Sequence, residues 1–156
     1  MIEINIPGFR KLRLSHLVLD YNGTLAVDGE LLPGVGDALT SLATQLAIHV
    51  ITADTFGRAA AQLHNLPVAL TIAPVESQAE TKLAFITALD PANVVAIGNG
   101  RNDRKMLKGA ALGIALIQLE GGASETLANA DLVSTNILDA LDLLKNPKRL
   151  IATLRS

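Results

Sequence analysis

Short apolar runs, each ending at a polar residue or a turn, recur along the chain. They are the feature that most restricts the folds the chain can adopt. The first run, Leu17-Val18-Leu19, ends at Asp20. Because every residue of this run is apolar, it predicts a strand buried on both faces, as in a parallel sheet. Asp20 would then lie at the carboxyl end of the strand, which is the edge where open α/β sheets bind ligands.

Further apolar runs alternate with stretches of helical spacing. Strands are predicted over 16–20, 47–51, 68–72, 93–97, 111–116 and 132–134. Helices are predicted from Pro33–Gly34 onward, around Met106, and over 56–64, 77–89, 123–130 and 136–145. The alternation continues without a break in composition. It predicts an α/β fold: a single Rossmann-like, doubly wound, three-layer domain over residues 1–156 with a mostly parallel sheet.

Two hairpins and a tail complete the predicted organisation. Residues 2–15 are expected to form a hairpin or an edge strand, and 26–32 a hairpin around an Asp-Gly turn. Asp54 or Thr55 is expected to cap the helix that follows. Residues 146–156 are expected to hold one helical turn at most.

Composition narrows the class of protein. Hydrophobic residues make up 49% of the chain and aromatic residues 3%, a mix that suits buried strands packed against Ala-rich helices. No stretch approaches the roughly 20 apolar residues needed to span a bilayer, and the start lacks a basic signal-peptide region. With no Cys and a net charge of −2, we expect a cytoplasmic location and no thiolate metal site, nucleic-acid surface or membrane surface.

The polar residues that follow the strands form a candidate site. Asp20, Thr52 and Asp103 follow apolar runs, and Lys82 lies near the start of a predicted helix. Because the carboxyl ends of parallel strands share one edge, these groups are expected to converge. An Asp can attack phosphorus, and Mg²⁺ between two carboxylates relieves their repulsion. The hydroxyl and ammonium groups would bind phosphate oxygens, which backbone amides near Gly23 could also approach.

Four segments, in this order, resemble the motifs of the haloacid dehalogenase (HAD) superfamily. Asp20–Leu25 (D-Y-N-G-T-L) is similar to the first motif, D-x-D-G-T-L. Thr52, ending V-I-T, and Lys82, in E-T-K, are similar to the second and third. Gly98–Asp103 (G-N-G-R-N-D) is similar to the fourth, G-D-G-x-N-D. Four motifs in order make the resemblance specific.

Further stretches resemble the phosphorylation domains of P-type ATPases within that superfamily. They are the stretch I-T-A-D-T-F-G-R-A-A-A-Q-L-H-N-L-P (51–67), A-A-L-G-I-A-L (110–116) and A-D-L-V (130–133). The resemblance covers about 17–144. It implies a free-standing, P-type-ATPase-like HAD phosphatase without membrane helices.

The resemblance also implies roles for the site residues. Asp20 would be the nucleophile and a metal ligand, and Asn22 would supply a backbone carbonyl to the metal. The further Mg²⁺ ligands would be Asn99 and Asp103. Phosphate would be bound by Gly23, Thr52, Ala53 and Lys82. Asp54 falls on the acid of the T-G-D stretch and would position its loop.

Two residues depart from the HAD pattern. HAD phosphatases carry an Asp general acid/base where this chain has Asn22, and P-type ATPases carry Thr there. Since Asn cannot exchange a proton usefully, a catalytic contribution of about 10²–10⁴-fold is expected to be missing. Asn99 replaces a second expected Asp; its amide oxygen can still contact Mg²⁺, but one negative charge is lost.

The spacing of the motifs leaves no room for a cap domain. The intervals from Asp20 to Thr52 and from Thr52 to Lys82 are filled by the predicted hairpin, helices and strands. The site is therefore expected to be open. Either the phosphorylated substrate is large, or a neighbouring subunit of a homo-oligomer covers the site, with the hairpin 26–32 at that interface.

The sequence is compatible with three functions. The first is a Mg²⁺-dependent phosphohydrolase acting through Asp20, and the second is a catalytically impaired regulatory or binding protein that keeps the fold. The third, a phosphoacceptor receiver domain, is disfavoured because no acidic pair precedes the Asp20 strand. The three histidines lack metal-ligand spacing and are expected to be structural or surface residues: His16, His49 and His64.

Overall fold

The computed structural model describes residues 1–54 and 57–156. Its strands in chain order are β1 (Ile2–Asn5), β2 (Lys11–Leu14), β3 (His16–Leu19), β4 (Ala26–Val27), β5 (Glu30–Leu31), β6 (Ala47–Thr52), β7 (Ala69–Ile72), β8 (Val94–Gly98), β9 (Leu112–Leu116) and β10 (Leu132–Ser134). The helices are α1 (Val35–Leu42), α2 (Arg58–Leu63), α3 (Gln78–Ala88), α4 (Arg104–Gly109), α5 (Ser124–Asn129), α6 (Ile137–Lys145) and α7 (Pro147–Leu154). Two 3₁₀ turns, Pro91–Asn93 and Arg101–Asp103, flank β8.

Six of these strands form one parallel sheet in the order β10-β9-β8-β3-β6-β7. The chain runs outward from β3 through β6 to β7, then returns to β8 on the other side of β3 and continues to β10. The order therefore reverses beside β3. In such a sheet the crevice outside the carboxyl ends at this reversal is the usual ligand site.

Helices cover both faces of the sheet and complete the predicted three-layer α/β fold. One face packs on α1, α2, α6 and α7, with buried Val35 and Leu39 in α1 and Leu141 in α6. The other face packs on α3 and α4 through Ile86 and Met106. Among the described helices, none has both the length and the apolar character needed to cross a bilayer.

Both predicted hairpins are present outside the sheet. β1 and β2 pair antiparallel, and so do β4 and β5. The β4–β5 turn places Asp28 at φ 52° and Gly29 at φ 81°, as a two-residue hairpin turn with two positive φ angles requires. The Asp54 carboxylate accepts hydrogen bonds from the first turn of α2, from the amide of Ala59 at 2.7 Å and of Ala60 at 3.1 Å. The other predicted cap, Thr55, and the predicted helix start at 56 lie outside the described residues.

The prediction of at most one helical turn near the end of the chain is wrong. Residues 147–154 form the two-turn helix α7, which begins at Pro147. Pro is favoured at the first helical position because its φ is already helical and its missing amide hydrogen is not needed there. Leu150 is fully buried, and Ile151 and Leu154 pack on the same core. Tertiary packing thus stabilises a segment whose local signals are weak.

Candidate active site

Three of the predicted site residues contact one another at the carboxyl edge of the sheet. Asp20 comes directly after β3, and Asp103 ends the turn that follows β8. Lys82, on α3, donates from Nζ to Oδ1 of Asp20 at 2.9 Å and to Oδ1 of Asp103 at 2.7 Å. One ammonium group therefore bridges two carboxylates that are far apart in sequence.

The Lys82 side chain is 0% exposed, so its charge depends on its partners. Burial alone would lower the pKa of Lys82, because a low-dielectric interior disfavours the ammonium form. The carboxylates of Asp20 and Asp103 outweigh that effect and raise the pKa to about 12. Lys82 is therefore a permanent cation at physiological pH.

Asp103 is equally buried and is held by backbone as well as by the lysine. Its Oδ2 accepts the amide hydrogen of Gly100 at 3.0 Å. A Cβ at Gly98 would collide with the Asp103 carboxyl, so the end of β8 needs a glycine. Burial and the neighbouring Asp20 charge raise the pKa of Asp103 to about 7, against the opposing effect of Lys82. Two carboxylates share one ammonium, so the site carries an excess of negative charge once the pH lies above the pKa of Asp103.

Asn99 packs against the loop that follows Asp20. Gly23 has φ +78°, and a Cβ there would collide with the Asn99 amide. The Thr24 hydroxyl donates to Asn99 Oδ1 at 3.4 Å, and Asn99 Nδ2 donates to the Gly121 carbonyl at 3.0 Å. The Gly23 amide already donates to the Ala26 carbonyl at 2.8 Å. Gly23 therefore allows Asn99 to approach the loop closely, and its own amide is not free to bind a ligand.

The other predicted site residues form no hydrogen bond with this cluster in the described part of the chain. Thr52 ends β6 and is buried, and Ala53 follows it, half-buried. Asn22 is exposed in the loop after Asp20. Within the described residues, no hydrogen bond joins these three to Lys82 or Asp103.

Two further residues belong to the site and were not among the predicted ones. Asn102 Oδ1 lies 3.4 Å from Lys82 Nζ, and its Nδ2 donates to Gln78 Oε1 at 2.6 Å. Gln118 Nε2 donates to the carbonyls of Gly23 and Thr24 at 2.9 and 2.8 Å. The sequence contains features that could have indicated both residues. Asn102 lies inside the G-N-G-R-N-D segment, and Gln118 closely follows an apolar run.

The donor set at this edge fits a hard cation. Asp20, Asp103 and Asn99 offer only oxygen ligands, which Mg²⁺ prefers. In the part of the chain that the structure describes, no group of three or more His, Cys, Asp or Glu side chains could hold a metal. A cation would thus depend on two carboxylates, an amide oxygen, backbone carbonyl groups and water, which is compatible with the several waters Mg²⁺ retains. The excess negative charge favours its binding.

Comparison with known sequences gives one family and one relative. A family model described as haloacid dehalogenase-like hydrolase matches residues 77–139, the segment that contains Lys82, Asn99 and Asp103. An uncharacterized protein of Methanocaldococcus jannaschii is 46% identical over 83 residues, which cover 51% of this chain and 89% of that protein.

Comparison with solved structures gives similar folds. The 3-deoxy-D-manno-octulosonate 8-phosphate phosphatase of Moraxella catarrhalis, in complex with magnesium, phosphate and KDO, has a TM-score of 0.66 at 18% identity; 91% of this chain and 94% of that chain are covered. The cobalt-bound phosphatase of Haemophilus influenzae has a TM-score of 0.71 at 9% identity, covering 92% and 94%. A zinc-transporting PIB-type ATPase has a TM-score of 0.64 at 25% identity, covering 79% of this chain and 20% of that chain.

Proposed function

Because this chain belongs to the haloacid dehalogenase-like hydrolases, we propose that it is a Mg²⁺-dependent phosphohydrolase that acts through an aspartyl phosphate on Asp20. The observation that carries the proposal is the contact of Lys82 with both Asp20 and Asp103. A nucleophile, a fixed cation and a second carboxylate at one sheet edge are the groups that phosphoryl transfer needs.

The proposed reaction has two displacements at phosphorus. In the first, an Asp20 carboxylate oxygen forms a bond to phosphorus while the bond to the alcohol oxygen breaks. In the second, water attacks phosphorus, the bond to Asp20 breaks, and inorganic phosphate leaves with the carboxylate restored. Lys82 orients Asp20 and offsets charge on the phosphoryl oxygens, and the Thr52 hydroxyl, with the backbone amide at Ala53, is proposed to position them.

The oxygen ligands described above would hold Mg²⁺: the carboxylates of Asp20 and Asp103, the Asn99 amide oxygen and the backbone carbonyl at Asn22. When bound, the ion would neutralise the excess carboxylate charge and that of the phosphoryl oxygens. Asp103 keeps its orientation through Lys82 and the Gly100 amide.

Asn22 determines which substrates react well. It is exposed, so its side chain can meet the leaving group. An amide cannot donate a proton as a carboxylic acid can, so the departing alkoxide must take its proton from water. Because general acid catalysis contributes about 10²–10⁴-fold, esters of weakly acidic alcohols are expected to react slowly, and donors with good leaving groups faster.

The buried charges argue for a catalyst over a domain that only binds a partner. Burying an ion costs several kcal/mol unless its pairing is excellent. Asp103 and Lys82 are both 0% exposed. The pairing is imperfect, because the two carboxyl groups of Asp20 and Asp103 share the single ammonium group of Lys82. A domain retained only for binding has no need of such a cluster.

Phosphate release from acetyl phosphate and p-nitrophenyl phosphate tests the proposal. We expect turnover that depends on Mg²⁺. It should be lost in Asp20→Asn and stopped in the wild type when EDTA removes the metal. Wild type that shows no metal-dependent turnover of either compound would favour the impaired regulatory protein.

A further inference from the structure

A pocket of about 420 Å³ lies between the β4–β5 hairpin and the loop after β9. Its volume falls within the range of about 300–1,000 Å³ seen for small-molecule sites. Most of its accessible lining is apolar, and the apolar side chains are Ala26, Val27, Leu32, Ile117 and Leu119.

Part of the pocket wall belongs to the loop that follows the candidate nucleophile. Gly23, three residues after Asp20, lines it, and so does Gln118, which donates to the carbonyls of Gly23 and Thr24. At the hairpin turn, the Asp28 amide donates to Glu120 Oε2 at 3.3 Å. Hydrogen bonds therefore connect the two sides of the pocket: the segment from Gly23 to the hairpin turn on one side, and the loop after β9 on the other.

The exposure of two lining residues indicates what the pocket would bind. Leu119 is 79% exposed and Ile117 44%, although apolar side chains of this size are usually buried. Glu120 is the one charged side chain in the described lining. Among the described residues Glu120 forms no ion pair, so its carboxylate disfavours a ligand body that carries negative charge and accepts an uncharged one.

We propose that this pocket holds the uncharged, apolar alcohol portion of the phosphorylated substrate. The inference rests on the proposed function, because it places the phosphate of the same molecule at Asp20. It assigns the substrate class as phosphate monoesters whose alcohol portion is apolar and uncharged, and among these the esters of more acidic hydroxyls, such as aryl phosphates, are expected to react faster because Asn22 supplies no proton. A substrate whose body carries a carboxylate would meet Glu120.

Binding of two non-hydrolysable phosphonates, in the presence of Mg²⁺, tests the inference. Methylphosphonate presents the phosphoryl group alone, and hexylphosphonate adds an apolar chain. Each buried methylene strengthens binding by up to about fourfold. We expect hexylphosphonate to bind at least about tenfold more tightly and to shift the methyl NMR signals of Ile117 and Leu119.

Leu119→Ser is the informative variant, and Val133→Ser is its matched control. Both residues are exposed and apolar, but Val133 lies on β10 and does not line the pocket. Leu119→Ser should reduce the preference for hexylphosphonate severalfold, and Val133→Ser should leave it unchanged.

The outcomes separate this inference from the function it rests on. Equal affinity for the two phosphonates would overturn the pocket assignment, whether or not acetyl phosphate is hydrolysed. Wild type that hydrolyses acetyl phosphate but shows this equality keeps the proposed function and loses the substrate class. Tight hexylphosphonate binding at Ile117 and Leu119 without any turnover would support a ligand site there and reject the phosphohydrolase.

Discussion

Lys82 balances the charges of the candidate site. It is the shared partner of Asp20 and Asp103. Lys82→Met would leave two buried carboxylates facing each other, and removing one partner of a buried ion pair costs about 3–5 kcal/mol. We therefore expect a loss of that size in the free energy of unfolding, measured by urea denaturation at pH 7 without metal.

The double variant Lys82→Met/Asp103→Asn is the control for this prediction. It removes one carboxylate together with the lysine, so it should recover part of the lost stability. If Lys82→Met is as stable as wild type, or if the second substitution destabilises it further, the charge balance described here is wrong.

A substitution at Asn22 is predicted to increase activity. Asn22→Asp restores a proton donor at an exposed position in the loop after Asp20, whose other residues are buried. We expect hydrolysis of esters with poor leaving groups to be faster by about 10²-fold or more. The gain with acetyl phosphate should be smaller, because its leaving group needs no proton. Steady-state rates on the two kinds of donor measure this difference. A uniform change across donors would show that a carboxyl group at position 22 does not reach the leaving group.

At the residue scale, the sequence predicts contacts that follow from strand ends. Asp20 and Asp103 follow apolar strands and meet at Lys82 because a parallel sheet brings strand ends to one edge. The contacts of Gln118 depend on the paths of two loops. Loop conformation has no periodic pattern in sequence, so those contacts are not predictable in this way.

The strands β3 and β6 also bring two histidines together, on the sheet away from the site. His16 Nδ1 lies 3.1 Å from His49 Nε2, and Phe85 packs edge-on against His49. The sequence predicts structural or surface roles for these residues without predicting that they pair. Register between neighbouring strands, which places His16 opposite Ala47 and Val18 opposite His49, creates the contact.

This pair predicts a pH dependence of stability. Burial and the neighbouring His16 lower the pKa of His49 below 6.5. The unfolded chain therefore binds a proton at His49 at a higher pH than the folded chain does. The stability that neutral His49 contributes is complete above pH 6.5 and is lost as the pH falls through the folded pKa.

NMR titration of the histidine rings measures this pKa directly. We expect the His49 midpoint below 6.5 in wild type and closer to 6.5 in His16→Gln. Urea denaturation should show a smaller loss of stability on acidification in His49→Gln than in wild type, with His64→Gln, at an exposed position, as the control. A wild-type midpoint at or above 6.5 would contradict the burial argument.

At the scale of elements, strands and long helices were predictable and the end of the chain was not. β8 and β9 are apolar throughout and fully buried, so their patterns are unambiguous. α7 is stabilised by a few apolar contacts with the core, through Leu150 above all. Such contacts exist only in the folded molecule, which is why local sequence signals understate this helix.

At the scale of the whole molecule, Mg²⁺ should stabilise the fold. An ion that binds the folded chain and not the unfolded one adds about 2.7 kcal/mol when its concentration is 100 times its Kd. We expect Mg²⁺ to raise the melting temperature of wild type above that in NaCl of equal ionic strength. Asp103→Asn should remove most of this rise. Equal effects of the two salts would exclude a specific magnesium site.

The architecture of the whole molecule was the most predictable feature. Alternating apolar runs and helical stretches predict a doubly wound parallel sheet, which the structure has. The pocket beside Gly23 was not foreseeable, because its walls come from a hairpin and from a loop about 90 residues away. Cavities of this kind depend on the relative placement of loops.

Asp20 should become covalently phosphorylated, which acid-quenched trapping with acetyl phosphate and Mg²⁺ detects. Mass spectrometry of the digested protein should locate the phosphoryl group on Asp20, in wild type and not in Asp20→Asn or in samples with EDTA. Metal-dependent phosphate release without any phosphorylated Asp20, under conditions that trap a known aspartyl phosphate, would rule out Asp20 as the nucleophile.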